Sequence, residues 1–196
     1  MPAEEKLAAQ TLPRALDTLG ELLESRGLRY ELVAVGGSAL VLLGLIQRAT
    51  RDLDALALIE GDRVVPVREL PSALADSVAD VGRFLGLGEN WLNSGPSSLL
   101  DLGLPAGFRQ RLVTRKYGGL TLHLASRVDH IAFKLYAAVD QGPTSKHAAD
   151  VRALDPTAAE LRWAAEWARS QDPSEGFDSE LRKALRHFGL ETDGAG

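Results

Sequence analysis

A chain of 196 residues with 45% hydrophobic and 25% charged side chains is long enough to bury a core and ordinary for a globular protein. Its net charge of −5 argues against a uniformly basic nucleic-acid binder, and the lack of cysteine excludes disulfides, thiol catalysis and cysteine-ligated zinc. The acidic, polar stretch Met1–Lys6 does not read as a signal peptide and the longest apolar run, Ala39 to Ile46, is too short to span a bilayer, so a soluble cytoplasmic protein without membrane contact is expected.

In chain order, Leu7 to Arg26 carries Leu12, Leu16, Leu19 and Leu23 at helical spacing, and Gly27 stops that helix. Tyr30 to Val35 reads as a short strand running into Gly36-Gly37. A helix from Ser38 to Leu45 follows, with Ser38 suited to its N-cap. Leu53 to Ile59 is the next strand, ended by Gly61-Asp62. Leu74, Val78, Val81 and Leu85 give one face of a helix over Leu70–Leu85. Gly86 to Phe108 is rich in Gly, Pro, Ser and Asn and reads as a loop with one helical turn around Trp91. Gln110–Arg115 and Leu120–Leu124 form a hairpin around Tyr117-Gly118-Gly119. Helices near Arg127–Asp140, Lys146–Leu154, Thr157–Ser170 and Ser179–Phe188 complete the chain, separated at Asp155-Pro156 and Asp172-Pro173 because proline disfavours helix in the residue before it.

The expected fold class is therefore α/β (α+β): a small mixed sheet flanked by helices over residues 1–125, then a helical C-terminal lobe over 126–190. A disordered tail is expected at 191–196.

Asp52 and Asp54 are two apart, so on a strand they share a face, roughly 6–7 Å apart by the strand rise. Like charges at that spacing repel, and a divalent cation offsets the repulsion. Hard oxygen ligands suit magnesium, with manganese as an alternative; magnesium commonly binds through one or two carboxylates plus substrate phosphates. Phosphoryl and nucleotidyl transfer use such a metal to neutralise charge and align an in-line displacement.

Upstream, Gly36 and Gly37 let the backbone approach a bulky ligand. A helix beginning at Ser38 would turn free N–H groups and a hydroxyl toward an anion. Gly-Gly-Ser is common in turns and paired aspartates are common on surfaces, so the combination carries more weight than either part. Two enzyme alternatives fit less well. A hydrolase elbow needs glycine where Leu40 stands. A dinucleotide fold needs a G-x-G-x-x-G run and an acid that follows its second strand, whereas these acids open it. A bland strand-turn-helix with charges at the strand start is the remaining alternative.

Gly36-Gly37-Ser38 followed by Arg48-Ala49-Thr50-Arg51-Asp52-Leu53-Asp54 resembles the DNA polymerase beta-like nucleotidyltransferase superfamily, and more narrowly the AbiEii and MenT-type nucleotidyltransferase toxins of toxin–antitoxin systems. Ile131-Ala132-Phe133-Lys134-Leu135 and Lys146-His147-Ala148-Ala149-Asp150-Val151 are similar to a later lysine helix and basic-x-x-x-Asp segment of those toxins, so the likeness spans roughly Val33 to Leu154. The resemblance implies a magnesium-dependent enzyme that moves a nucleotide from a nucleoside triphosphate to the 3′ end of tRNA and so blocks translation. It implies that Asp52 and Asp54 hold the metal, and that Gly36, Gly37, Ser38, Lys134 and Lys146 contact the nucleotide. Asp150 would complete the site, and a cognate antitoxin would be the protein partner. A protein hydroxyl or small molecule as acceptor, or a non-catalytic nucleotide- or partner-binding module, is the alternative. Many superfamily members carry a third carboxylate on a later strand, but Leu120-Thr121-Leu122-His123-Leu124 holds none.

Residue pattern alone leaves Lys134 either a phosphate ligand or a snorkelling side chain at the border of an apolar stripe. Lys146 and Asp150, at i and i+4, equally make an ordinary helix-surface ion pair. Arg109, Arg111, Arg115 and Lys116 lie in a stretch free of acids between Leu102 and Val128, which marks them as candidate RNA contacts or as solvated charges. Thr50 lies two residues before Asp52 and is a candidate regulatory phosphorylation site, because a dianion there would repel an incoming triphosphate. The four histidines show no zinc spacing, and Trp91 and Trp163 read as core or loop anchors.

Overall fold

The computed structural model describes residues 11–95 and 98–190; the expected tail at 191–196 and the first four residues of the first expected helix lie outside them. The described chain divides into two compact units. One runs to Leu104 and adds Arg109–Ala125; the other joins Pro105–Phe108 to the chain from Ser126 onward.

The first unit is a mixed sheet flanked by helices. Helix α1 (Thr11–Ser25) buries Leu12, Ala15, Leu16, Leu19 and Leu23, the stripe its spacing predicts. Strand β1 (Tyr30–Val35) pairs antiparallel with β2 (Leu53–Glu60) and parallel with β6 (Leu120–Leu124). Strand β3 (Arg63–Pro66) borders β2, β5 (Val113–Tyr117) borders β6, and the order across the sheet is β3-β2-β1-β6-β5. Off this path, the two-residue β4 (Leu92–Asn93) runs parallel to β2. Helix α2 (Gly36–Leu42) links β1 to β2, α3 (Ser72–Leu85) packs beside α1, and α4 (Ser98–Leu102) follows β4.

The register of β1 on β2 slips between Val33 and Ala34, so Leu56 is an extra residue in β2. Because of that bulge Leu53, Ala55 and Leu58 all meet the leucine core under α1 and α3, although strict alternation would turn Leu58 away. Each fully buried leucine there contributes about 1.5–3 kcal/mol. Gly20 of α1 lies against the β5–β6 turn so closely that a Cβ would stand 1.8 Å from the Tyr117 carbonyl oxygen. Gly20→Ala is therefore expected to destabilise this unit by about 1–3 kcal/mol, read as a lower urea midpoint.

Several elements depart from the sequence expectation. The stretch after Gly86 holds β4 and α4 rather than one turn at Trp91, whose indole N–H donates to the Val78 carbonyl at 2.9 Å from within the core. Strand β3 was not expected, because Arg63–Pro66 shows no alternating apolar pattern. The first strand of the hairpin starts at Val113, since Arg109–Arg111 form a 3₁₀ turn.

The second unit is helical: α5 (Arg127–Gln141), α6 (Lys146–Leu154), α7 (Ala158–Gln171) and α8 (Glu175–His187). Ser126, Ser145, Thr157 and Ser174 cap the four helices by accepting backbone N–H bonds. Thr157 does so in a capping box with Glu160. The cap at Ser174 moves the start of α8 forward from the expected Ser179; Gly176 in its first turn had masked that start. Helix α5 packs against α6, α7 and α8, and Phe133, Tyr136, Trp167 and Phe177 form a chain of edge and tilted ring contacts between them.

Candidate functional site

The two glycines at the end of β1 behave differently. Gly36 has φ +83°, and a Cβ on it would stand 2.7 Å from Asp54 Oδ2. Both the left-handed backbone and the carboxylate behind it require glycine. Gly37 leaves room for its neighbours, since a Cβ there would meet the Thr50 methyl at 3.1 Å and the Arg48 guanidinium at 3.2 Å.

Helix α2 opens at Gly36 with Val35 as N-cap, which corrects Ser38 as the capping residue. Ser38 instead sits inside the helix, 1% exposed. Its hydroxyl donates to the Asp52 carbonyl and lies 2.7 Å from the Thr50 hydroxyl. The serine thereby ties the segment entering β2 onto α2, and the neighbouring strand start is held where its two acids emerge. Thr50 is itself only 6% exposed, so a modifying enzyme reaches its hydroxyl only when this segment opens.

Asp54 lies opposite Val35 on β1 and beside Asn93 on β4. Its neighbours Leu53 and Ala55 point into the core, so its side chain leaves the other face, shared with Asp52 two residues before it. The Asp54 carboxylate is wedged between two glycines: a Cβ on Gly95 would stand 2.5 Å from Oδ1, as one on Gly36 would crowd Oδ2. Asp52 is half-buried and accepts from the Asn93 side-chain amide at 3.3 Å. Neither Asn93 nor Gly95 stands out in the sequence, because a two-residue strand has no periodicity to read.

The donor set fits a hard divalent cation: two carboxylates two residues apart at the entry to β2, one of them with glycine on both sides where side chains would otherwise crowd it. Among the described residues no group of three or more His, Cys, Asp or Glu side chains converges. Such a cation would therefore draw its remaining ligands from water and substrate phosphates, which is magnesium's usual habit.

In the second unit Lys134 on α5 meets Asp150 on α6, with Nζ 2.8 Å from Oδ2. Both are buried, at 6% and 2% exposure. The snorkelling alternative for Lys134 yields to this geometry, because the lysine points inward onto Asp150; Lys146 is exposed. Arg109 donates to the Asp62 carbonyl and Arg115 to the Leu42 carbonyl at 3.1 Å. Arg115 and Lys116 are both exposed, and as successive strand residues they project to opposite faces of β5. His123 lies beside Thr114 at 2.9 Å and Glu31 at 3.1 Å, which supports a structural role in the sheet.

A cleft of about 830 Å³ lies elsewhere in the second unit, lined by Arg169, Asp172, Glu175, Asp178 and Arg182 among others. Two of its arginines, Arg169 and Arg182, pair with Asp178. The Arg169 hydrogen bond, with Arg182 adding to it, holds the Asp178 carboxyl below its ordinary range.

A family model described as a nucleotidyltransferase of unknown function (DUF6036) matches residues 11–152, a span that includes the glycine turn, both acids, β4, Lys134 and Asp150. No curated protein and no solved structure matches the chain. With nearly three quarters of its length matched, the chain belongs to the DUF6036 nucleotidyltransferase family.

Proposed function

We propose that the chain is a magnesium-dependent nucleotidyltransferase toxin that adds a nucleotide from a nucleoside triphosphate to the 3′ end of tRNA and is silenced by a cognate antitoxin. The observation that carries the transferase part is the carboxylate pair, Asp52 beside Asp54, with Asp54 set between Gly36 and Gly95. Magnesium bound there supplies charge neutralisation for a triphosphate. Manganese is the alternative ion.

The acceptor hydroxyl attacks the α-phosphate, a new phosphoester bond forms as the bond to pyrophosphate breaks, and the hydroxyl proton passes to solvent. The glycine turn at Gly36-Gly37 lets triphosphate oxygens approach the backbone, and Arg48, exposed and lying over Gly37, adds a cation. Ser38 acts by holding Asp52 in place. Lys134 is the proposed phosphate ligand of the second unit, with Asp150 orienting its ammonium. Lys146 is the proposed outer cation.

The toxin reading, tRNA as acceptor and the antitoxin rest on the likeness of Arg48–Asp54 and of the Lys134 and Asp150 segments to the toxin branch. Exposed Arg115 and Lys116, with Arg109 and Arg111 nearby in the chain, are the proposed RNA contacts. Silencing would act at Thr50, where a phosphate would replace the Ser38 hydrogen bond by a dianion two residues from Asp52.

Incubation with each labelled triphosphate, magnesium and total tRNA tests the proposal. Label at the tRNA 3′ end is the expected result. Label on protein or on a small molecule would retain the transferase and overturn the tRNA assignment. No transfer to any acceptor, from folded protein, would leave a nucleotide- or partner-binding module.

A further inference from the structure

Strand β4 repeats the spacing of the acids beside it. Asn93 and Gly95 are two residues apart, as Asp52 and Asp54 are, and the parallel register sets Asn93 against Asp54. Side chains of neighbouring residues in paired strands leave the sheet on the same face. Asn93 therefore sits in the row of the acids, and its amide reaches Asp52 Oδ2 at 3.3 Å. Gly95 falls where any side chain would meet Asp54, with a Cβ 2.5 Å from Oδ1 and 2.7 Å from the Asp54 Cβ.

The placement of β4 is itself well anchored. The Leu53 N–H donates to the Trp91 carbonyl at 2.7 Å, Trp91 and Leu92 are buried in the core, and the Ser94 hydroxyl donates to the Arg68 carbonyl at 2.8 Å. A two-residue strand adds little to sheet stability, yet this one is fixed at both ends against the strand that carries the acids.

From this juxtaposition we infer that β4 is the wall that shapes the carboxylate pair: Asn93 is a positioning residue for Asp52, and Gly95 reserves the space in which the Asp54 carboxylate stands. The neutral amide matters. It supplies a donor to one oxygen of Asp52 and leaves the other lone pairs for a cation, without adding a third negative charge to two that already repel. Partners that orient metal ligands in this way typically change metal affinity by about 10–100-fold when removed. This inference rests on the metal-binding role proposed above for Asp52 and Asp54.

The test is manganese binding to the full chain without nucleotide, followed by electron paramagnetic resonance, with tRNA labelling measured in parallel. Asn93→Ala and Asn93→Leu, which keeps the bulk and removes the donor, should both weaken manganese binding by about tenfold or more, with the thermal midpoint unchanged. Gly95→Ala should weaken it as well, through displacement of Asp54 rather than loss of a donor. Wild-type protein that binds manganese, together with Asn93 variants that bind it equally well, would overturn the role of Asn93. Gly95→Ala with unaltered binding would overturn the reserved space. Wild-type protein that binds no manganese would instead overturn the metal site itself, and the inference with it.

Discussion

Asp52→Ala is expected to lower nucleotide transfer by at least about 10³-fold, roughly 4 kcal/mol of transition-state stabilisation, while the folded chain survives. The carboxylate is half-buried, and the neighbour its side chain holds is the Asn93 amide, so deletion removes charge without opening the core. The thermal midpoint should move by no more than about 3 °C. Ser38 should still hold this segment, because its bond runs to the Asp52 carbonyl, which every side chain at that position keeps. Asp52→Asn is the stricter variant, since it preserves shape and removes only the charge. Labelled-triphosphate assays at saturating magnesium, beside a thermal melt, would check both halves. Transfer that survives in Asp52→Asn would sink the carboxylate mechanism; a collapsed melt would make the residue structural instead.

Breaking the Lys134–Asp150 pair is expected to have the largest effect on stability. The two charges lie 2.8 Å apart at 6% and 2% exposure, so either single deletion removes the ion-pair partner of a charge that water reaches poorly. Lys134→Met or Asp150→Ala should each cost about 3–5 kcal/mol, whereas Lys134→Met with Asp150→Leu should recover most of that loss because no charge is left behind. Trp163 and Trp167 on α7 report on this unit, and urea titration followed by their fluorescence would measure the cycle. Additive single effects, with no recovery in the double variant, would mean that the pair is not coupled as its geometry requires. Transfer assays on the double variant, which restores the fold without the cation, then separate the proposed phosphate contact of Lys134 from its structural bond.

Much of the fold is legible in the chain because it rests on local patterns. The α1 stripe from Leu12 to Leu23, the span Tyr30–Val35 and helix Lys146–Leu154 are set by spacing, by Gly27 and by the prolines after Asp155 and Asp172. What escaped were elements without a period. Strand β3 is four residues with little apolar character, and β4 is two residues in a Gly/Ser/Asn-rich stretch; each exists because β2 offers it an edge.

The candidate site divides the same way. That two acids share a face follows from their spacing, and the need for a glycine before them follows from the turn, so a carboxylate pair next to a glycine turn is readable from the chain. Which groups surround the pair depends on how distant segments pack. The bulge at Leu56 keeps Leu58 on the core side of β2 although alternation along the chain would turn it outward. The parallel register of β4 brings Asn93 and Gly95 to the acids from about 40 residues away, and the packing of α5 on α6 turns Lys134 inward onto Asp150. These are long-range pairings, and their partners are chosen by which faces bury together, a quantity that no local window of the chain contains.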